Sequence, residues 1–222
     1  MGRGRLAGVL FDMDGTLLDS EKLWDAALAA LAERLGGVLS AAARRAMTGT
    51  SEDETMAILY ADLGIDGRDP AADRRFVADR MAELFATDLT WRPGAQELLT
   101  EVRAAGLPAA LVTSSGRRLV EIALDSTLGR DSFDVVVCGD DVTAPKPDPE
   151  SYRTAADRLG VPIRRCVAIE DSPAGLTSAR RAGAIPVGVP GDVPLSGIDG
   201  VHLVTSLAEV DLAYLARLVD HR

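Results

Sequence analysis

Apolar residues along this chain follow two rhythms. Short unbroken runs lie at Ala7–Phe11, Ala109–Val112, Val135–Cys138, Val167–Ile169, Ile185–Val189 and His202–Val204. Runs of three to five residues bounded by glycine or polar turns are too short for helices and read as strands, the first of them as a buried parallel strand. Elsewhere the apolar positions recur every three or four residues, as on one face of a helix. Ser20-Glu21 opens such a segment, with Trp24, Leu28, Leu31 and Leu35 on one face and Gly36-Gly37 as its stop. Ser51-Glu52-Asp53-Glu54 has the Ser-x-x-Glu form of a capping box ahead of Met56, Leu59 and Leu63. Asp69-Pro70 begins a third helix carrying Val77, Met81 and Leu84.

No strand pattern interrupts this block, so residues 18–90 are expected to form an all-helical insertion, with the core made of 1–17 and 91–222. After Trp91-Arg92-Pro93-Gly94 strands and helices alternate. The helices are expected over Ala95 to Gly106, around Leu119 to Leu124, from Asp148-Pro149 to Gly160, from Ser172-Pro173 to Gly183, and from Leu207 to Val219. Alternation of this kind is the signature of an α/β fold with a parallel sheet and crossover helices.

Composition narrows the function classes. The 222 residues are 47% hydrophobic and 26% charged, with a net charge of −10, which disfavours nucleic acid and anionic membranes as partners. No apolar run approaches the roughly 18 residues of a membrane span, and the start lacks the apolar stretch of a signal peptide, so a cytoplasmic protein is expected. Cys138 and Cys166 sit in strand-like runs and read as small buried hydrophobes. The two histidines, His202 and His221, lie late in the chain, which removes a histidine triad or a multi-histidine zinc site. Acid–base chemistry must rest on carboxylates.

Those carboxylates stand where the strands end. Asp12 and Asp14 follow the first strand and, by strand alternation, project the same way. Two such groups in a crevice call for a shared proton or a shared cation, and oxygen ligands at the carboxyl end of a parallel strand suit Mg2+. The second strand ends in Thr113-Ser114-Ser115-Gly116, a cluster of hydroxyls whose amides are expected at a helix N-terminus, where anions bind. The third leads through Gly139-Asp140-Asp141 to Pro145-Lys146-Pro147-Asp148. The chain has 22 arginines but only two lysines, Lys22 and Lys146, so a lysine braced by prolines is not a compositional default. The fourth strand ends in Glu170-Asp171. Carboxyl ends of parallel strands line one crevice, so the four segments should converge on a phosphoryl-binding site that needs a divalent cation to receive an anion.

The set DMDGT, Thr113, Lys146 in PKPDP, and IEDSPAG resembles the four motifs of the haloacid dehalogenase superfamily, in its phosphatase and phosphomutase branch. The helical block after the first motif is similar to the cap of the β-phosphoglucomutase and phosphoglycolate phosphatase subgroup. The resemblance implies a Rossmann-like three-layer core, a helical cap and a Mg2+-dependent phosphatase of small phosphate monoesters. It implies Asp12 as nucleophile forming an aspartyl-phosphate, Asp14 as acid and base, Thr113 as a phosphoryl contact and Lys146 as the residue orienting Asp12. Mg2+ is implied between the Asp12 carboxylate, the Asp14 carbonyl and Asp171, with Glu170 direct or through water. Ser114 and Ser115, with cap residues Ser20, Trp24 and Gly49 to Glu52 (Thr50 and Glu52 among them), are expected to contact substrate. An aspartate at position 14 disfavours dehalogenation and C–P cleavage. Trp24 and Glu52 stand where mutases of the subgroup carry histidine and arginine, which favours hydrolysis over a β-phosphoglucomutase-like cycle. From another class, a phospho-accepting receiver module would share the clustered aspartates but has no use for the insertion or for an acid at Asp14 that would hydrolyse the phosphoaspartate. A silent binding protein on the same fold is disfavoured because none of the motifs is broken. A self-contained cap predicts a monomer.

Overall fold

A computed structural model of the chain describes residues 5–47, 50, 52–191, 193–195 and 197–220. The first strand, β1 (Gly8–Phe11), leads into helices α1 (Glu21–Arg34), α2 (Ala41–Met47), α3 (Glu52–Leu63) and α4 (Ala71–Thr87). The chain then alternates: α5 (Ala95–Ala104), β2 (Ala109–Val112), α6 (Arg117–Ala123), β3 (Val135–Val137), α7 (Glu150–Leu159), β4 (Cys166–Glu170), α8 (Pro173–Ala182), β5 (Ile185–Gly188), β6 (His202–Leu203) and α9 (Leu212–Asp220). All strand pairs are parallel, in the order β3-β2-β1-β4-β5-β6. This is the expected α/β fold with a helical insertion.

Alternation along the strands explains the three layers. Leu10, Ala110, Val112, Val137 and Ala168 face one way, onto Tyr152 and Ala155 of α7 and Ala179 of α8. Val9, Phe11, Leu111, Val167 and Ile169 face the other way, into a larger core with Leu98 and Val102 of α5, Val120 of α6 and Leu215 of α9. That second core continues into the insertion through Leu31, Leu59, Met81 and Phe85. With both faces covered, every residue of β1, β2, β4 and β5 is buried, as the unbroken apolar runs require.

The central strands bring the motifs together. Phe11 is level with Leu111 of β2 and Ile169 of β4, and the Asp12 amide donates to the Ile169 carbonyl at 3.0 Å. Asp12, Thr113 and Glu170 therefore emerge side by side. The insertion leaves and rejoins the core beside them, where Leu18 bridges both Asp14 and Trp91.

Several local expectations need correcting. The buried stripe of α1 is Leu23, Ala27, Leu28, Leu31 and Ala32, while Trp24 lies at its edge, 37% exposed. The short α2, for which the apolar spacing gives almost no signal, buries only Ala43 and Met47; its start is marked by Ser40, whose hydroxyl accepts from the Ala43 amide at 3.1 Å. The last helix is broken, with a 3-10 turn at Leu207–Glu209 ahead of α9, because Asp211 accepts from the Tyr214 amide and starts the helix afresh. Ser51, the expected cap of α3, lies outside the described residues. The cap position of α4 is held by Pro70 and not by Asp69, with no side-chain cap; Asp69, one residue earlier, accepts from the Ala71 amide at 3.0 Å in a local turn.

Candidate active site

Glu170 is the last residue of β4 and is wholly buried; Asp12 and Asp171 are buried beside it. Oxygens of the three carboxylates lie within 4.8 Å of one another. Among the described residues, the side chain that offsets this crowding is Lys146. Lys146 Nζ donates to Asp12 Oδ1 at 2.7 Å, to Glu170 Oε1 at 2.6 Å and to the Val112 carbonyl at 2.9 Å, which uses all three of its protons. Burial opposes its charge, but Asp12 and Glu170 outweigh burial, and the ammonium stays protonated to higher pH than an ordinary lysine.

One ammonium does not balance three carboxylates. Burial, then the Glu170 charge, pushes the Asp12 carboxyl well above the usual range, with Lys146 pulling the other way. Burial followed by Glu170 and Glu21 raises Asp171 to about 7. Hard oxygen donors with an excess of negative charge fit a divalent cation of the Mg2+ type. The backbone is shaped to the same end. Gly15 has φ +73, and a Cβ there would fall 2.2 Å from Asp171 Oδ2. A Cβ at Gly175, in the first turn of α8, would fall 1.8 Å from Glu170 Oε1.

Asp14 is not part of this cluster. Its carboxylate accepts from Ser20 Oγ at 2.7 Å, Thr113 Oγ1 at 3.2 Å and Ser115 Oγ at 2.7 Å. The strand ends thus deliver two adjoining groups, Asp12 with the lysine and the acids, and Asp14 with three hydroxyls.

This arrangement alters three expectations. Ser20 makes no side-chain cap of α1; it is fully buried and serves Asp14, which leaves it no open face toward a substrate. The Ser115 amide donates to Thr113 Oγ1 at 3.0 Å, closing a local turn in place of an open anion-binding amide. The helix begins only at Arg117, after Gly116, so Ser114 and Ser115 precede it; Ser114 is exposed at the rim.

Trp24, Thr50 and Glu52 are separate from both groups. They line a cleft of about 570 Å³ inside the insertion, together with Leu28, Met56 and Glu21. Glu21 connects the cleft to the acids, since its charge acts on Asp171 and its Oε1 lies 3.5 Å from the position of a Gly15 Cβ. Glu52 pairs with Arg74 at 3.9 Å. Gly49 lies outside the described residues.

Sequence reasoning did not single out three supporting groups. Thr16 donates to Asp171 Oδ1 at 3.2 Å, Ser172 to Glu170 Oε2 at 3.0 Å, and Tyr152 to Glu170 Oε1 at 2.7 Å. Thr16 and Ser172 adjoin the motifs, and that proximity was an available signal. Tyr152 reads as an ordinary apolar position of α7. Cys138 and Cys166 are buried as expected, and burial pushes their thiols up to about 11 and about 12, away from reactive thiolates. No helix among the described residues is long and apolar enough to cross a membrane.

Known proteins resemble this chain over most of its length. The chain is 33% identical over 203 residues to validoxylamine A 7'-phosphate phosphatase of Streptomyces hygroscopicus subsp. limoneus, covering 91% of this chain and 90% of that protein. It is 34% identical over 178 residues to a phosphorylated carbohydrates phosphatase of Thermotoga maritima, covering 80% and 82%. The structure of CbbY from Rhodobacter sphaeroides in complex with phosphate superposes with a TM-score of 0.78 at 33% identity, covering 95% of this chain and 99% of that one. The family described as haloacid dehalogenase-like hydrolase matches residues 6–183, from before β1 to the end of α8. With its four motifs gathered at the carboxyl ends of β1, β2 and β4, this chain belongs to the haloacid dehalogenase-like hydrolases.

Proposed function

We propose that the protein is a Mg2+-dependent phosphatase of small phosphorylated sugars, acting as a cytoplasmic monomer through an aspartyl-phosphate on Asp12. The observation that carries this reading is the buried Asp12–Lys146 contact of 2.7 Å inside the acidic cluster, with Asp14 two residues away. The names of the relatives, phosphatases of phosphorylated carbohydrates among them, support it.

In the first half-reaction an Asp12 oxygen attacks phosphorus and the ester oxygen leaves, taking a proton from Asp14. In the second, Asp14 takes a proton from water, whose oxygen attacks the acyl phosphate; inorganic phosphate departs and Asp12 is regenerated. Lys146 fixes the Asp12 carboxylate and offsets charge as it develops. Thr113 and Ser115 hold Asp14 until it is used, and Thr113, at the end of β2, is placed to meet a phosphoryl oxygen. Asp12, Asp171 and the Asp14 carbonyl, with Glu170 behind them, would hold Mg2+, which would supply the positive charge that an anionic substrate needs.

Residues 18–90 are a cap over a core made of 1–17 and 91–222, and the cleft beside Trp24, Thr50 and Glu52 takes the leaving group. An acidic Glu52 and a tryptophan at position 24 support hydrolysis over a mutase cycle. The test is phosphate release from a panel of sugar phosphates, phosphoglycolate and nucleotides, with Mg2+ and with EDTA. Metal-dependent release from the sugar phosphates is expected; no release from any member by folded protein in Mg2+ overturns the reading.

A further inference from the structure

Tyr152 is among the largest fully buried side chains, set in the core between α7 and the sheet. A phenylalanine would fill that volume equally well, and a buried hydroxyl is costly unless it is paired. Its partner is no backbone carbonyl but Glu170 Oε1 at 2.7 Å, the same oxygen that Lys146 Nζ reaches at 2.6 Å. The ring also lies beside that ammonium, with Nζ 5.2 Å from its centroid. The other Glu170 oxygen receives Ser172 Oγ at 3.0 Å and the Ser172 amide at 3.4 Å. Glu170 is thus held by four donors on the side of the protein. The same ammonium also donates to Asp12 Oδ1 at 2.7 Å.

We propose that Tyr152 is a positioning residue: its phenol withdraws charge from Glu170, keeps Lys146 shared with Asp12, and restrains the hold of the acidic cluster on its cation. The inference rests on the proposed phosphatase reading. Removing only the hydroxyl leaves Glu170 with more charge, which draws Lys146 away from Asp12 and attracts a divalent cation more strongly. The two consequences have opposite signs, whereas a merely loosened site would weaken cation binding and turnover together.

The experiment compares wild type and Tyr152→Phe by calorimetric Mg2+ titration of the full chain and by steady-state phosphate release at saturating Mg2+. A hydrogen bond to a charged group corresponds to an effect on the order of tenfold or more. The expected result is Mg2+ bound roughly three- to tenfold more tightly, kcat lowered about tenfold and KM within about threefold. In a Glu170→Gln background the same substitution should leave Mg2+ affinity unchanged, because Tyr152 acts through that carboxylate. Weaker Mg2+ binding in Tyr152→Phe, unchanged affinity and kcat, or an undiminished effect in the Gln background each overturns the proposal. If the wild type binds Mg2+ but releases no phosphate, the phosphatase reading fails, while the Mg2+ titrations still decide the role of Tyr152.

Discussion

Asp171→Asn should stabilise the metal-free protein at high pH and flatten its pH dependence. Burial, then the charges of Glu170 and Glu21, raise the Asp171 carboxyl from 3.8 to about 7. A carboxyl raised on folding keeps its proton in the native state at pH values where the unfolded chain has released it. Its contribution is therefore fully present below 3.8 and is lost as pH rises through about 7. Between pH 5 and pH 8 that loss comes to about 3 kcal/mol. For a chain of 222 residues it corresponds to roughly 6–12 °C in Tm. Asparagine keeps the shape and an oxygen for the Thr16 hydroxyl but cannot ionise. Circular dichroism melts in EDTA at several pH values should show the wild type falling relative to Asp171→Asn by about that amount. Adding Mg2+ at pH 8 should then raise the wild type more than the variant. Parallel pH curves in EDTA, or a variant that loses stability faster than the wild type, would refute the reasoning that Asp171 is held against charge repulsion.

Other perturbations test other parts of the site. Asp12→Asn should abolish phosphate release while leaving the melt in EDTA unchanged or higher; appreciable turnover would remove Asp12 as nucleophile. Lys146→Met leaves buried carboxylates without their ammonium and should cost about 3–5 kcal/mol in urea unfolding with EDTA; a loss under about 1 kcal/mol would contradict the charge balance described above. Gly175→Ala places a methyl where Glu170 lies and should cost about 1–3 kcal/mol, with weaker Mg2+ binding by calorimetry; unchanged affinity would mean that Glu170 can move aside freely.

Much of this was legible in the residues. The apolar runs located β1, β2, β4 and β5 because strands buried on both faces need no alternation, whereas β6 is exposed at both residues. Parallel topology then placed Asp12, Thr113, Lys146 and Glu170-Asp171 at one end. What escaped depends on contacts that cross the fold. Ser20 has the local features of a helix start, but its hydroxyl is drawn to Asp14, which only the path of the chain after β1 decides. Ser115 looks like an anion-binding amide until its N–H is seen to close onto Thr113. Tyr152 is indistinguishable from a core aromatic by periodicity, because its packing is that of a core aromatic and only one atom differs in purpose. The short α2 buries too little for its spacing to register.

The insertion begins and ends on one rung of structure: the Asp19 amide donates to the Thr90 carbonyl at 2.9 Å and the Arg92 amide to the Leu17 carbonyl at 2.8 Å. Its two ends are therefore already adjacent, and the entropy of closing the segment between them grows only slowly with its length. Lengthening, shortening or recasting residues within it leaves the register of β1 with β2 and β4 unstrained. The insertion can accordingly drift in sequence and length while Asp12, Lys146 and Glu170 stay where the sheet puts them.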